Sequence, residues 1–188
     1  PEYCEKPMPA YDPEQAKQLL ADAGYADGLD VSVAVGTGWP DIVSYAEVLK
    51  EDAAAAGFNI TLDTMPNSQY WDIWTDADLG ITSWAHRPLG TMILNLVYTA
   101  DKEGNPVPWN ESRWVDPEFS ELLTKANGTY DVEERRKIFC ELEQIQMDRG
   151  SIGIAWWSNV WMVHRDHVMD VPPHTAVRML FDQVWMKA

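Results

Sequence analysis

Leu29-Asp30-Val31-Ser32-Val33-Ala34-Val35 alternates and is rich in β-branched side chains, and Phe58-Asn59-Ile60-Thr61-Leu62 takes up the same character after a helical stretch over about 41–56. Gly36-Thr37-Gly38-Trp39-Pro40 opens that helix and Gly57 stops it. A connection this long rules out a hairpin, so strand, helix and strand in this order predict a parallel, right-handed βαβ unit.

Working outward, the segment before the unit is a well-punctuated helix, with Asp12 as N-cap, Pro13 in the first turn, Leu19, Leu20 and Ala23 as apolar positions, and Gly24 as the stop. After it come a short amphipathic helix over 68–74, an apolar strand over 79–82, a helix over 91–98, and a long polar loop over 99–113. Helices over 117–126 and 132–149 follow, ended by Gly150. Residues 151–157 read as a buried strand, and the remainder, broken by Pro172 and Pro173, as short strands and loops closing on Val184-Trp185-Met186. Alternating strands and helices predict an α/β fold, a mixed sheet flanked by helices.

The 188 residues, 46% of them hydrophobic, suit one domain of ordinary size. Thirty acidic against fourteen basic residues give a formal charge of -16, which repels phosphate backbones and anionic lipid and argues against nucleic acid as a partner. No run of about 20 apolar residues could cross a bilayer. The start at Pro1, without a basic leader, is expected of a mature product or of part of a longer chain. Cys4 and Cys140 lack metal-ligand spacing and are too few for a disulfide framework; a single bridge between them stays open, with Cys140 lying off the apolar line of its helix.

Ser83-Trp84-Ala85-His86-Arg87-Pro88-Leu89-Gly90 places an aromatic face and a guanidinium in one loop between the strand over 79–82 and a helix. Loops beyond the carboxyl ends of such strands are where α/β sheets bind ligands. Trp84, His86 and Arg87 are therefore candidate ligand contacts, and Trp39 and Trp109, also in Gly- or Pro-rich loops, are candidate stacking faces; a core Trp beside a solvated Arg explains the same residues. Asn110 and Arg113 can add hydrogen bonds, while Glu111 and Ser112 read as a solvated loop tip. Trp71 and Trp74 share a helical face with Tyr70 as a packing patch, and Trp156, Trp157 and Trp185 read as structural.

Tyr11-Asp12-Pro13-Glu14-x-Ala16-Lys17-x-Leu19-Leu20-x-x-Ala23-Gly24-Tyr25, the Trp84 loop, Pro108-Trp109-Asn110-Glu111-Ser112-Arg113, Asp116-Pro117-Glu118-Phe119 with Leu122-Leu123, the stretch 131–136 and Val184-Trp185 occur here in one order. That order resembles the family 5 bacterial extracellular solute-binding proteins, the dipeptide, oligopeptide and nickel receptors of ABC importers. The resemblance implies the carboxy-terminal lobe of a type II periplasmic-binding-protein fold, residues 1–188 forming one ligand-binding domain whose amino-terminal lobe is missing. It implies a small-molecule or peptide solute captured between two lobes, an ABC permease in the inner membrane as partner, and a periplasmic location, or a membrane-tethered extracellular one in a Gram-positive host. It implies neither catalysis nor a cofactor. In peptide-binding members the position three residues after the loop Trp resembles an acidic anchor for the peptide's amino group; here it is Arg87, which favours a carboxylate-bearing, phosphorylated or sugar-acid-like solute.

Two other readings compete. His164, Asp166, His167 and His174 offer donors for a metal, as in a nickel-chelate receptor, but the flanking valines and Pro172 suggest strand and turn rather than a helix face. A stand-alone α/β hydrolytic enzyme would draw on Asp78 and His86, yet the sequence has no Gly-x-Ser-x-Gly elbow, phosphate loop or His-Glu-x-x-His helix, and Gly36-Thr37-Gly38 lacks the third glycine of a dinucleotide turn.

Overall fold

In the computed structural model, which describes residues 3–159, 161–174 and 180–187, β1 (Leu29–Gly36) and β2 (Phe58–Met65) pair in parallel over eight residues, from Leu29 opposite Phe58 to Gly36 opposite Met65. Helix α2 (Pro40–Ala54) is the crossover between them. The period of two in β1 is read out directly. Val33 and Val35, fully buried, pack with Ile42 and Ala46 of α2 and with Ile60, while Ala34 turns to the other face against Met65 and Tyr70. Tyr70 belongs to α3 (Asn67–Ile73). The small side chains at the exit of β1 let that helix come close: a Cβ on Gly36 would stand 2.7 Å from Asn67 Oδ1, and the Gly38 N–H donates to the same oxygen at 2.7 Å. These glycines serve the packing of α3 on the sheet rather than a phosphate cradle.

Helix α1 (Pro13–Asp22) begins where its signals place it, with Asp12 accepting from the Gln15 N–H at 2.9 Å. The remaining helices, α4 (Gly90–Val97), α5 (Pro117–Gly128) and α6 (Val132–Arg149), form a second body around Phe119, Leu123, Ala126, Ile138, Phe139, Leu142 and Ile145. One carboxylate ties two of their ends together. Asp116 caps α5 through the Phe119 N–H and accepts Arg149 Nε at 2.6 Å from the last turn of α6, and Arg149 holds its carboxyl below the usual carboxylate range.

The disulfide left open by the sequence is present. Cys4 and Cys140 are bridged with their Cα atoms 5.2 Å apart, 136 positions apart in the chain. Around it the Cys4 N–H donates to Glu143, whose carboxyl is pushed up by burial against the pull of that donor, and Lys6 reaches Gln144 at 2.8 Å. The amino-terminal tail is thus fixed along the outside of α6.

Parallel and antiparallel pairing are divided between two small sheets, the second formed by β3 (Val168–Met169) and β4 (Trp185–Met186). The segment expected as a strand over 79–82 runs beside β1 but joins it at one parallel bridge, Ala34 with Gly80. The expected buried strand over 151–157 is not formed. Among the described residues these have no regular structure and no ladder partner, and Ile154, Trp156 and Trp157 are exposed, Trp157 by 84%; an edge contact of Trp156 with Tyr45, centroids 5.1 Å apart, joins the segment to α2. An apolar run reads as buried strand only when something covers it, and within the described residues nothing does. Trp185, expected to be structural, is half-exposed in β4, its indole N–H on Asp170 Oδ2 at 2.6 Å.

In the chain-entropy view a cross-link closing a loop of this length stabilises by about 5 kcal/mol. Reduction, or Cys4→Ser, is expected to lower the unfolding free energy by roughly 2–5 kcal/mol, measurable as a drop in the denaturant midpoint between oxidised and reduced protein.

Candidate functional site

Because β1 and β2 are parallel, both release the chain on the same side, and five tryptophans from four segments gather there. Trp39 leads into α2, Trp71 lies on α3 and Trp74 just past its end, Trp84 follows the Gly80 segment, and Trp109 comes from the long loop. Trp74, Trp84 and Trp109 form a triangle with ring centroids 6.0 to 6.2 Å apart, and Trp71 links it to Trp39 through contacts of 5.5 and 6.4 Å. The rings meet edge to face or tilted, the arrangement that ring quadrupoles favour. Trp39, Trp71 and Trp109 remain about 40–46% exposed, so the cluster is an open aromatic wall.

A carboxylate is set into this wall. Trp84 Nε1 donates to Glu111 Oε1 at 2.9 Å, and the Thr82 hydroxyl donates to Glu111 Oε2. Since the Thr82 proton points to Glu111, the 2.7 Å contact between Tyr70 and Thr82 is donated by the Tyr70 hydroxyl. The relay therefore runs from the buried Tyr70 through Thr82 to Glu111, with Trp84 as second donor. Burial pushes the Tyr70 hydroxyl up, with Thr82 opposing and the Glu111 charge adding. Tyr98, partly buried against Trp114 and Phe119, is pushed up to about 12, chiefly by withdrawal from water and further by Glu111.

The other candidates in the 99–113 loop are engaged within the protein. Asn110, 2% exposed, donates to the carbonyls of Thr99 and Trp114 and accepts from Ser112. Arg113, in the left-handed region with φ 56°, donates to the carbonyls of Thr75 at 2.8 Å and Ala77 at 3.1 Å and lies 3.7 Å from Asp78. It clamps the loop carrying Trp109 to the turn that follows Trp74. Arg87 does not take Asp76 or Asp78; it donates back to the carbonyls of Ala85 and His86 at 3.0 and 3.3 Å, with His86 exposed beside it.

The structure thus brings Trp39, Trp84 and Trp109 into one cluster, and His86 and Arg87 share a loop with its central member. Glu111 and Ser112 are not the solvated tip that the sequence suggests: both are half-buried, and Glu111 is the polar centre of the wall. What sequence reasoning missed is the part of Trp71 and Trp74, read as packing, in connecting Trp39 to Trp84. Among the described residues no three His, Cys, Asp or Glu side chains are grouped to hold a metal. No helix among them is long and apolar enough to cross a membrane. Two concavities, one lined by Lys17, Leu20 and Gly57 and the other by Asp30, Lys50 and Phe58, lie at the amino ends of β1 and β2, away from the tryptophans.

Residues 1–138 match the model of the bacterial extracellular solute-binding proteins, family 5 Middle. The chain is 30% identical over 146 residues to Di/tripeptide-binding protein 4 of Pseudomonas aeruginosa (strain UCBPP-PA14), covering 73% of this chain and 26% of that protein. Among solved structures, NikA from Staphylococcus aureus in complex with Ni(L-His)2 is 25% identical at a TM-score of 0.66, over 78% of this chain and 32% of that one. HbpA2 from Haemophilus parasuis, 21% identical, aligns at a TM-score of 0.72 over 93% of this chain and 35% of its own, and supports the fold alone. The chain spans about a quarter of the length of the curated relatives it matches.

Two outcomes follow from the site's scaffold. The raised Tyr98 stabilises the fold while it stays neutral, so its contribution is intact below pH ~10 and is lost as the pH rises to about 12; tyrosinate absorbance should show a residue titrating late, together with a fall in stability over that window. Arg113→Ala removes a charged donor from two carbonyls and is expected to cost about 1–3 kcal/mol, with faster amide exchange in the turn over 75–78 as the readout that separates loss of this clamp from general destabilisation.

Proposed function

The chain belongs to the family 5 bacterial extracellular solute-binding proteins, and from that premise we propose that residues 1–188 are the carboxy-terminal lobe of a two-lobed receptor that delivers a small solute to an ABC permease. The observation that carries the reading is the wall of Trp74, Trp84 and Trp109 at the carboxyl ends of a parallel strand pair, open on one side. An open aromatic wall is half of a binding site. A second lobe closing over it by hinge motion would exclude water and strengthen each polar contact made there.

The exposed apolar run that includes Ile154, Trp157, Trp161 and Val163 supports the same arrangement, because apolar faces of this extent are normally covered by a partner surface. The Cys4–Cys140 bridge suits an oxidising compartment, hence a periplasmic site, or an extracellular one in a Gram-positive host. Such a receptor binds and releases its solute and catalyses nothing. Of three matching curated relatives, two are named as di/tripeptide-binding proteins and one as a heme-binding protein.

The finer proposal concerns the solute. Arg87 is free of any carboxylate partner among the described residues, and a guanidinium tethered only to its own loop carbonyls can turn its remaining donors to a ligand carboxylate. A peptide-like solute bearing an anionic group therefore fits, stacked on Trp84 and Trp109, with Trp39 at the edge of the wall. His86, on the same loop, is placed to join these contacts, while Asn110 and Arg113 hold the wall in shape.

Thermal unfolding of the full-length protein against short peptides, opine-like and sugar-acid anions, sugar phosphates and nickel chelates tests this. A solute at about 100 times its dissociation constant adds roughly 2.7 kcal/mol. Carboxylate-bearing solutes are expected to raise the midpoint in wild type and to lose that effect in Arg87→Ala; a shift that survives the substitution removes Arg87 from the site.

A further inference from the structure

Away from the tryptophans, Asn127-Gly128 is the one Asn-Gly pair in the sequence, and it ends α5 on the surface of the helical body. Both residues are exposed. A glycine nitrogen has no side chain beside it to obstruct an approach, so the Gly128 backbone nitrogen can meet the Asn127 carboxamide carbon and close a five-membered ring. The surroundings are equally open, since a Cβ on Gly128 would meet nothing within 4 Å. The helix gives way at the same point. Thr129, the next residue, is already extended, with φ -99° and ψ 109°, and helix ends fray.

What holds the asparagine back is a partner on another helix. Asn127 Nδ2 donates to Asn95 Oδ1 at 3.1 Å and Asn95 Nδ2 donates to Asn127 Oδ1 at 3.0 Å, a reciprocal pair of amides joining α5 to α4. Asn95 is itself fixed by a 2.6 Å hydrogen bond from the same nitrogen to the Thr91 carbonyl. A helical side chain leans over the turn that precedes it, so Asn127 must give up both bonds and swing forward before its carboxamide carbon can meet the Gly128 nitrogen.

We propose that Asn127 is a site of spontaneous covalent modification, converting to aspartate and isoaspartate, and that Asn95 sets the rate by holding its amide. The bond from Gly128 N to Asn127 Cγ forms as the Cγ–Nδ2 bond breaks, and ammonia leaves with the proton that the Gly128 nitrogen gives up. Water then opens the succinimide at one of its two carbonyls. Attack at Cγ yields an aspartyl residue; attack at the main-chain carbon leaves the chain running through the side chain, an isoaspartyl link one methylene longer. Water enters, ammonia departs, and nothing is oxidised. Either product puts a carboxylate where the amide was, so Asn95 Oδ1 loses its donor, and the new charge lies at the carboxyl end of α5, where the helix dipole disfavours it. The contact between α4 and α5 is thereby loosened.

The test incubates the full-length protein warm at mildly alkaline pH and follows the tryptic peptide over 126–135, in which Asn127 is the only asparagine, by mass spectrometry. Wild type is expected to gain about 1 Da there, resolved by chromatography into aspartyl and isoaspartyl forms, more slowly than the same protein held in urea. Gly128→Ala, which has room for its methyl group and favours the helix, should slow the native conversion about tenfold. Asn95→Ala should speed it about tenfold, as release of two hydrogen bonds allows, and should change nothing in urea. In the converted protein, amide exchange in α4 should rise. A peptide that stays unconverted in native wild type while the protein in urea converts completely overturns the site. Equal native rates in wild type and Asn95→Ala overturn the part given to Asn95, and unchanged exchange in α4 after conversion overturns the loosening.

Discussion

Parallel pairing of β1 with β2 is the constraint from which the rest follows. Eight residues in register, with Gly36 opposite Met65 at the end, oblige both strands to deliver the chain to the same side. What emerges there is aromatic on each exit: Thr37-Gly38-Trp39 from β1, and Pro66 into the helix bearing Tyr70, Trp71 and Trp74 from β2. An antiparallel pair would have placed these exits at opposite ends, about 25 Å apart for strands of this length. The Gly80 segment, lying parallel to Ala34, brings Trp84 and Arg87 to the same edge by the same logic.

The helical body serves this edge from below. Gly90 admits Phe139 so closely that a Cβ there would stand 2.6 Å from its ring, which seats the start of α4 on α6 and fixes where the Trp84 loop must end. The loop over 99–113 is anchored at both ends, at its start by the pairing of Ala100 with Pro106 and at its finish by the buried amide of Asn110. Trp109 is therefore carried on a loop whose backbone is bound on either side of it. A rigid mounting matters for recognition, because a stacking face that must first be ordered gives back in entropy part of what contact supplies.

Much of this was legible in the residues. The N-cap Asp12, the stops at Gly24 and Gly57 and the alternation in β1 all act through local geometry, and local geometry is what a sequence carries most directly. The grouping of Trp39, Trp84 and Trp109 was visible only as a shared Gly- and Pro-rich setting. The place of Glu111 was not visible at all, since a Glu between Asn110 and Ser112 in a polar loop looks like a solvated side chain until Thr82, 29 positions away, is found hydrogen-bonded to it. The segment over 151–157 failed for a different reason: apolar content states that a strand wants cover, and says nothing of whether the cover lies within the same stretch of chain.

The electrostatic character of the wall follows from the same distinction between local and assembled features. A formal charge of -16 spread over the surface would screen to little at physiological ionic strength beyond about 8 Å. Glu111 escapes that screening in part, because it is half-buried beside the Trp84 indole and its two donors are neutral. A charge so placed acts over the few ångströms in which a ligand is held, and Arg87, tethered only to its own loop carbonyls, is the one opposite charge on the adjoining loop. No salt bridge joins Arg87 to Glu111 among the described residues, which leaves each charge available to a third party. Had Arg87 closed on Glu111 directly, the two would have satisfied one another; unjoined, each keeps hydrogen-bonding capacity that the fold itself does not use up.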